Sequence, residues 1–383
     1  MENTARHPTI IQIAPGEVFG GVERHLLGLC AKLSIRGHMV KLILFHQAEL
    51  AEQASASGLE VVVLPDRATL DFRSAFDLAA QIRLLGGDLL HVHGYRAMVT
   101  VRITKLMGRV ALPVVKTEHG LSEPTGARLV EGLKSRIYSA LDDSATRSTA
   151  SSVCYVSADL QRAKSSSHST VAGAVIGNGI DPIESLGQAR PLDLPNAGLC
   201  LGIIGRLTEV KGVIHAIDAL SRSAMPEDAQ IIVLGDGPLR RELEEHAAAI
   251  GVSKRVTFLG FRRNVFDYLA HFDALLMPSL HEGLPYTLLE AMSLGCPVLA
   301  SRVGGLAEVL IHDQTGLLFE AGDPGAIAAA VERLASEVGL AERLGTNAAT
   351  IQRRSHSLDG MVDEYIGIYE SVLDQSKKRM SRN

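Results

Sequence analysis

The sequence predicts an α/β protein built from two doubly wound domains, each with a parallel sheet and helices on both faces. Short apolar segments alternate with amphipathic helical segments, which is typical of parallel strands joined through helices. The strand-like segments are too many for one convenient sheet. A stretch rich in glycine and proline, residues 179–197, interrupts the alternation and predicts a domain boundary.

Seven strand-like segments precede this interruption. Amphipathic stretches such as Val22–Ile35 and Ala75–Leu85 lie between them and predict the covering helices. We therefore place the N-terminal domain at residues 1–180. The seven segments are Thr9–Ala14, Val40–Phe45, Glu60–Leu64, Leu89–Val92, Pro113–Thr117, Ser152–Val156 and Ala174–Ile176.

Six further strand-like segments follow the interruption, and with the helical segments Ala326–Leu334 and Leu340–Gln352 they form a predicted C-terminal domain at residues 181–356. A last helical segment, Leu358–Leu373, lies within residues 357–383, and we expect it to pack back on the N-terminal domain. The six segments are Leu199–Ile204, Gln230–Leu234, Arg255–Leu259, Ala274–Met277, Pro297–Ala300 and Leu317–Phe319.

Composition and charge exclude several classes of function. The 383 residues carry a net charge of −5, so no global field attracts nucleic acid. The four cysteines are scattered without a Cys-x-x-Cys pair, which predicts reduced thiols and no zinc site. The N-terminus lacks the apolar core of a signal peptide, and no segment approaches the ~18 apolar residues of a membrane span. We therefore expect a cytoplasmic protein.

One segment of the N-terminal domain is rich in basic residues. No acidic residue occurs between Asp88 and Glu118, whereas five basic ones do: Arg96, Arg102, Lys105, Arg109 and Lys116. A basic helix can lie on an anionic membrane surface or meet an anionic acceptor, although an ordinary solvated helix face looks the same. A peripheral contact with the inner face of a membrane through Arg96–Lys116 is one expectation.

Two carboxylates eight residues apart form the most informative motif of the chain. Glu282 is followed by Gly283 and Pro285, and proline is tolerated in the first turn of a helix. Glu290 lies in the apolar run that follows, so it is predicted on a helix among core residues, where an unpaired carboxylate costs several kcal/mol, to order of magnitude. A ligand with hydroxyls at both ends and an anion over the helix N-terminus matches this layout. A nucleotide-sugar has that form.

Two basic residues are predicted to bind the anionic diphosphate of such a ligand. Arg206 follows a predicted strand directly after Gly205, and Lys211 precedes a helix start, which together suit a diphosphate. The chain has no Asp-x-Asp pair for a metal-bridged diphosphate and no Walker-type loop. The loop Pro15–Gly21 also follows a strand, but its glycines do not have the spacing of a dinucleotide site.

Three histidines end two neighbouring strands. His91, His93 and His119 are expected at the carboxyl edge of the first sheet, where doubly wound domains bind ligands. Packed, hydrogen-bonded histidines would give the same pattern. We expect no metal site here, because no cysteine or closely spaced carboxylate accompanies them.

These landmarks resemble the retaining glycosyltransferases of the GT-B fold, specifically glycosyltransferase family four, and they span nearly the whole chain. The resemblance implies two Rossmann-like domains that face each other across a deep cleft, with the acceptor on the first and the nucleotide-sugar donor on the second. The matching motifs are Gly20-Gly21-Val22-Glu23, His93-Gly94, His119-Gly120, Val156-Ser157, Asn178-Gly179-Ile180-Asp181, Gly205-Arg206-Leu207 with Lys211-Gly212, Gly235-Asp236-Gly237-Pro238, Phe258-Leu259-Gly260-Phe261, and Glu282 to Glu290 followed by Gly304-Gly305 and Glu308.

The resemblance also implies a role for each matching residue. Arg206 and Lys211 would neutralise the donor diphosphate, and Glu290 would hold the ribose hydroxyls. Glu282 would contact the donor sugar, and His119 would lie near the sugar that is transferred. The donor-binding set would further include Gly20, Gly21, Gly205, Phe261, Gly283, Leu284, Pro285, Tyr286 and Thr287. No metal and no cofactor are expected, in agreement with the missing Asp-x-Asp pair.

Two other functions stay open from the sequence. A nucleotide-sugar 2-epimerase would need further acid/base carboxylates, which are not identifiable. The alternative of a catalytically silent nucleotide-sugar-binding subunit is disfavoured by the presence together of Arg206, Lys211, Glu282 and Glu290. The acceptor could be a lipid-linked glycan, a soluble sugar or a small aglycone. Glu118 directly precedes His119 and could raise the pKa of that histidine or select an acceptor.

Overall fold

The computed structural model describes residues 7–17, 20–68, 71–120, 129–183, 190–194 and 198–381. The chain divides into two compact units, which we call unit 1 (Met1–Gly179 with Leu358–Asn383) and unit 2 (Ile180–Ser357). Parts of two predicted segments lie outside the described residues: Val18 and Phe19 of the first glycine loop, and 184–189 and 195–197 of the interruption.

Unit 1 contains a seven-stranded sheet in which all described pairings are parallel. Its strands are β1 (Thr9–Ala14), β2 (Met39–Leu44), β3 (Glu60–Val63), β4 (Leu89–His93), β5 (Val114–Glu118), β6 (Ser152–Tyr155) and β7 (Ala172–Val175). The spatial order is β3-β2-β1-β4-β5-β6-β7, so the direction of winding reverses between β1 and β4. Ligands bind doubly wound sheets at the carboxyl ends of the strands at such a reversal.

Within the described residues of unit 1, six helices connect these strands: α1 (Gly21–Ile35), α2 (Glu49–Ala56), α3 (Phe72–Leu85), α4 (Tyr95–Leu106), α5 (Leu129–Thr149) and α6 (Ala158–Lys164). The strands are almost continuously apolar and β1, β4, β5 and β6 are buried along their full length, as parallel strands covered on both faces must be.

Unit 2 contains a second parallel sheet, of six strands: β8 (Cys200–Ile204), β9 (Gln230–Leu234), β10 (Val256–Gly260), β11 (Ala274–Met277), β12 (Val298–Ser301) and β13 (Leu317–Phe319). Its order, β10-β9-β8-β11-β12-β13, reverses between β8 and β11. The helices of this unit are α7 (Val213–Ala219), α8 (Arg240–Ala249), α9 (Val265–Leu269), α10 (Tyr286–Leu294), α11 (Gly304–Val309), α12 (Pro324–Ser336) and α13 (Leu340–Ser355).

The chain then returns to unit 1 through its last helix, α14 (Leu358–Met380). This helix packs against α1 and buries a row of side chains in the core beside β1, β4 and β5: Leu358, Met361, Val362, Tyr365, Tyr369 and Val372. No described helix is long and apolar enough to cross a membrane.

The predicted fold class is confirmed. Each of the thirteen strand-like segments forms a strand, with ends that differ from the predicted ones by at most two residues. The largest difference is at β7, which begins at Ala172 instead of Ala174 because its exposed small residues lack an apolar pattern.

Candidate active site

Loops at the carboxyl edge of the unit 2 sheet are joined through their backbones. These are the loops that follow β8, β9, β11 and β12. The hydrogen bonds are Leu207 N to Asp236 O (2.9 Å), Leu280 N to Val210 O (2.8 Å) and Gly305 N to Glu282 O (3.2 Å). These four loops of unit 2 therefore form one connected surface at the reversal of strand order.

Glycines allow this close approach of backbone to backbone. A Cβ atom on Gly305 would lie 1.9 Å from the carbonyl oxygen of Gly283, and one on Gly235 would lie 1.9 Å from that of Gly205. Gly235 also has a φ of +134°, which side chains rarely adopt. These two positions explain why the loops around the site are rich in glycine.

Lys211 and Glu282 form an ion pair at this edge. Lys211 ends a 3₁₀ turn, Glu209–Lys211, and its Nζ lies 2.5 Å from Glu282 Oε1, to which the Ser279 hydroxyl also donates at 2.8 Å. The side chain of Glu282 is 9% exposed and that of Lys211 is 24% exposed. A buried carboxylate is stabilised by such partners, and the lysine is poised to meet a further anion.

These residues line one pocket together with Gly205 and Arg206. Arg206 is exposed, so its guanidinium can reach an incoming ligand without breaking a buried contact. The pocket brings together four of the predicted site residues: Gly205, Arg206, Lys211 and Glu282. Glu290 and Phe261 are not among the residues that line it.

Glu290 lies on α10, as predicted. Pro285 is the N-cap of this helix, with a φ of −75°, and Tyr286 is its first residue. Glu290 is 4% exposed between buried apolar neighbours. The side chains of Leu284 and Tyr286 are also buried, and those of Pro285 and Thr287 are half-buried. The first turn of any helix has backbone N–H groups without helical acceptors, so the loop Gly283–Thr287 leads to an anion-binding end.

Phe261 lies at the carboxyl end of β10. The residue is 62% exposed, and its loop is joined to the loop after β9 by a hydrogen bond from Gly235 N to Gly260 O (2.8 Å). An exposed aromatic ring on this connected edge is available for stacking on a planar ligand group.

In unit 1 the glycine loop leads directly into α1. Gly20 is the N-cap and Gly21 the first helical residue, and Gly20 N donates to Glu23 Oε2 at 2.9 Å. Burial raises the pKa of Glu23. The loop lies beside the end of β4, because a Cβ on Gly94 would meet the ring of Pro15 at 3.2 Å. The structure thus places Gly20 and Gly21 at the reversal of strand order.

A cluster of histidines occupies the same edge. His93 Nδ1 lies 2.9 Å from His119 Nε2, and the ring of His25, on α1, is centred 4.8 Å from that of His119. His91 hydrogen bonds to Thr117 Oγ1 and to the hydroxyl of Tyr369, both at 2.8 Å. His25 was not predicted, since nothing in a helical sequence pattern tells which residue faces the ends of two distant strands.

Burial keeps these imidazoles neutral. It lowers the pKa of His25 to about 4, against which the Asn178 side chain acts weakly in the opposite direction. It lowers the pKa values of His91, His93 and His119 well below the usual value, and neighbouring rings lower them further. At neutral pH the cluster therefore offers lone pairs and N–H donors rather than positive charge.

The expectation that Glu118 raises the pKa of His119 is wrong. Its carboxylate accepts from Lys116 Nζ at 2.6 Å, and Lys116 also donates to Asp142 Oδ2 at 2.7 Å. Burial opposes the charge of Lys116, but the two carboxylates outweigh it and raise the pKa of the amine. The pKa of His119 is lowered, not raised, because burial has the largest effect and the positive charge of Lys116 lowers the pKa further.

The five basic residues of Arg96–Lys116 do not form one continuous exposed basic face. Arg96 is buried over the ring of Phe45, and Lys116 is fully buried. Lys105 donates to Leu112 O at 2.9 Å, and burial lowers its pKa. Arg102 bonds to Ser144 and Ser148, and Arg109 lies over the ring of Phe76. Peripheral contact of this segment with a membrane stays a prediction.

Comparison with known proteins agrees with this geometry. The profile of Glycosyltransferase Family 4 matches residues 19–184, and that of Glycosyl transferases group 1 matches residues 199–337. An uncharacterised glycosyltransferase of Methanocaldococcus jannaschii is 28% identical over 94% of this chain and 96% of its own length. The lipopolysaccharide core biosynthesis glycosyltransferase LpsD of Rhizobium meliloti is 30% identical over 50% of this chain and 57% of its own.

A solved structure has the same fold. HepE of Anabaena, in complex with UDP-glucose, superimposes with a TM-score of 0.80 at 22% identity and covers 95% of this chain and 100% of its own. HepE and this chain therefore share the GT-B fold, which contains two Rossmann-like domains. The two matched profiles together account for most of both units, and the chain belongs to the family 4 type of glycosyltransferases.

Proposed function

We propose that this glycosyltransferase moves a sugar from a nucleotide-sugar to an acceptor hydroxyl with retention of configuration, in glycan or glycolipid biosynthesis, and without a divalent metal at the donor diphosphate. The observation that carries the proposal is the pocket at the edge of the unit 2 sheet, in which Arg206, Lys211 and Glu282 come together. The name of LpsD, a lipopolysaccharide core enzyme, supports a glycan product. The complex of HepE with UDP-glucose supports a nucleotide-sugar donor.

In this proposal the donor exchanges one ion pair for another. The diphosphate attracts Lys211 Nζ away from Glu282 and is met by Arg206 from the exposed side, so that two cations replace a bridging metal. Glu282, once released, accepts hydrogen bonds from the hydroxyls of the sugar. Glu290 accepts from the ribose hydroxyls, and backbone N–H groups of Gly283–Thr287 meet the sugar and phosphate. A buried carboxylate suits this task because it holds acceptors in a fixed direction.

Transfer then proceeds by attack on the face from which the phosphate departs. The bond from the anomeric carbon to the phosphate oxygen breaks, and a bond from that carbon to the acceptor oxygen forms. The proton of the acceptor hydroxyl passes to the departing phosphate oxygen. Arg206 and Lys211 stabilise the negative charge that develops there. In this proposal His119, which is neutral and partly exposed, lies near the sugar that is transferred.

Thermal shifts with UDP-, GDP- and ADP-sugars in EDTA test the donor site. Ligand binding raises the melting temperature by mass action. We expect a shift in melting temperature with one of the nucleotides. The shift should be smaller in Glu290→Gln, because losing a hydrogen bond to a charged group raises the dissociation constant by about tenfold or more. Glu242→Gln, an exposed residue of α8, is the matched control and should behave as the wild type.

Product analysis tests the reaction itself. Proton NMR of the product is expected to show the anomeric configuration of the donor. A trapped glycosyl adduct on Glu282 would contradict same-face attack, and donor binding without product over a panel of acceptors would favour the silent binding subunit. A shift that appears only with added Mg²⁺ or Mn²⁺ would contradict metal independence.

A further inference from the structure

Three imidazoles converge in unit 1 with the arrangement of metal ligands. One ring nitrogen from each of His25, His93 and His119 lies within 4.8 Å of the other two. Among the described residues this is the only group of three or more histidine, cysteine or acidic side chains that could hold a metal ion. His25 and His93 are fully buried, whereas His119 is partly exposed, so the group is open on one side.

The outward nitrogens of two rings are bound to amide oxygens. His25 Nδ1 lies 3.0 Å from Asn178 Oδ1, and His93 Nε2 lies 2.9 Å from Gln12 Oε1. An oxygen accepts, so these two nitrogens carry the protons and leave lone pairs on His25 Nε2 and His93 Nδ1. Ligating histidines in metal sites almost always donate their other N–H to an oxygen in this way.

The inward nitrogen of His25 is not otherwise used. His25 Nε2 is buried and has no hydrogen-bond partner within the described part of the chain. A buried polar atom without a partner costs free energy, and the cost disappears when a ligand fills the position. The other two inward atoms, His93 Nδ1 and His119 Nε2, contact each other at 2.9 Å.

We propose that His25, His93 and His119 bind one first-row transition metal ion of the Zn²⁺ or Co²⁺ type. Three imidazole nitrogens without a carboxylate suit these ions and disfavour Mg²⁺ and Ca²⁺, which take oxygen ligands. Zn–N bonds of about 2.0–2.1 Å place tetrahedral ligands roughly 3.3 Å apart. Small rotations of the three rings would reach this spacing, and the open side beside His119 leaves the fourth position to water.

The metal ligands and the diphosphate contacts come from different units of the chain. The proposed metal ligands belong to unit 1, whereas Arg206, Lys211, Glu282 and Glu290 belong to unit 2. Metal-independent recognition of the diphosphate and metal binding by the histidines are therefore independent statements. Each has its own measurement, and neither result decides the other.

The test is a titration of the full chain with Co²⁺ and Zn²⁺ after treatment with EDTA and removal of the chelator. We expect one equivalent of Co²⁺ to give the visible absorption of tetrahedral cobalt and one equivalent of Zn²⁺ to displace it, with no response to Mg²⁺. His25→Gln should weaken binding by at least about tenfold, since even loss of an outer partner costs 10- to 100-fold. Absence of one-to-one binding by the wild type overturns the proposal.

A second histidine pair provides the matched control. The rings of His7 and His38 are centred 4.9 Å apart, and His38 is nearly as buried as the cluster. His38→Gln should leave the metal titration unchanged. If His38→Gln abolishes binding and His25→Gln does not, the metal binds at His38 and the proposal is overturned. If His25→Gln does not fold, Gln12→Ala and Asn178→Ala replace it. Unaltered affinity in both folded variants would overturn the assigned geometry.

Discussion

At the scale of single residues, Lys211 and Glu282 depend on each other. Glu282 is buried, and the partners that the structure assigns to its Oε1 atom are the Lys211 amine and the Ser279 hydroxyl. Removal of one member of a buried pair leaves the other desolvated without compensation, whereas removal of both charges restores a neutral site. The stability of the folded chain therefore depends on two of the residues that are proposed to bind the donor.

A double-mutant cycle measures this coupling. Lys211→Met should lower the free energy of unfolding by about 1–3 kcal/mol, because the Glu282 carboxylate is then left with the hydroxyl of Ser279. Glu282→Gln in the same chain should recover part of that loss. Urea denaturation of the wild type, both single variants and the double variant at pH 7 gives the coupling energy. Additive effects within about 0.5 kcal/mol would show that the pair contributes nothing.

The histidine cluster predicts loss of stability in acid. The pKa of His25 is about 4 in the folded chain, below the value of about 6.5 expected when unfolded. Because the pKa is lower in the folded chain, the full contribution of His25 to the free energy of unfolding is present above pH 6.5. As the pH falls from 6.5 toward 4, that contribution declines by about 1.4 kcal/mol per pH unit.

His25→Gln removes this titration. Urea denaturation between pH 7.5 and 4.5, in EDTA, gives the free energy of unfolding as a function of pH. The slope of this dependence should correspond to about one proton fewer taken up on unfolding in the variant than in the wild type. The carboxylates titrate in both chains and cancel in the difference. Equal slopes would mean that His25 is protonated alike in the folded and unfolded states.

At the scale of elements, the donor site depends on loops that pack against one another. The first residues of α11 lie on the loop that carries Glu282, since Gly304 and Gly305 approach the carbonyl oxygens of Glu282 and Gly283. The position of the predicted donor carboxylate is thus set by an element that begins more than twenty residues later in the sequence.

Gly305→Ala should displace this loop. The added Cβ would lie 1.9 Å from a backbone oxygen, which cannot rotate away as a side chain can. We expect a cost of about 1–3 kcal/mol in unfolding free energy and loss of the nucleotide-induced thermal shift. Gly367→Ala on α14 is the control, because no atom outside its own helix backbone lies within 4 Å of its Cβ position. Normal donor binding by Gly305→Ala would show that the loop can move without consequence.

At the scale of the whole molecule, the two units differ in continuity. Unit 2 is one stretch of chain, Ile180–Ser357, with its own sheet and its own buried cluster. Unit 1 is interrupted, because α14 returns to it and contributes Tyr365, Tyr369 and other side chains to the core. Tyr369 also holds His91, so the last helix supports the histidine edge directly.

A fragment of residues 180–357 should therefore fold by itself. We expect a cooperative thermal transition and, in EDTA, the same nucleotide preference as the full chain, since all proposed diphosphate and ribose contacts lie within it. A fragment of residues 1–179 lacks α14 and should expose the apolar row that α14 covers, so it should be unfolded or aggregated. Circular dichroism and size-exclusion chromatography test both fragments, and a stable monomeric 1–179 fragment would contradict the role assigned to α14.

Local sequence patterns were sufficient to predict the strands, the two sheets and the helix that carries Glu290. Buried parallel strands and amphipathic helices have apolar periods that do not depend on distant residues. The placement of Glu290 on α10 after Pro285 follows from the same local chemistry.

Only the tertiary structure decided which side chains meet. The pairing of Lys211 with Glu282 joins residues 71 positions apart. Lys116, which belongs to the basic segment of the sequence, is paired with the carboxylates of Glu118 and Asp142. His25 joins two strand-end histidines because α1 brings its ring within 5.7 Å of the ring of His93 and 4.8 Å of that of His119, centroid to centroid. Charge partners and converging ligands are properties of contacts between distant elements, and a one-dimensional pattern does not contain those contacts.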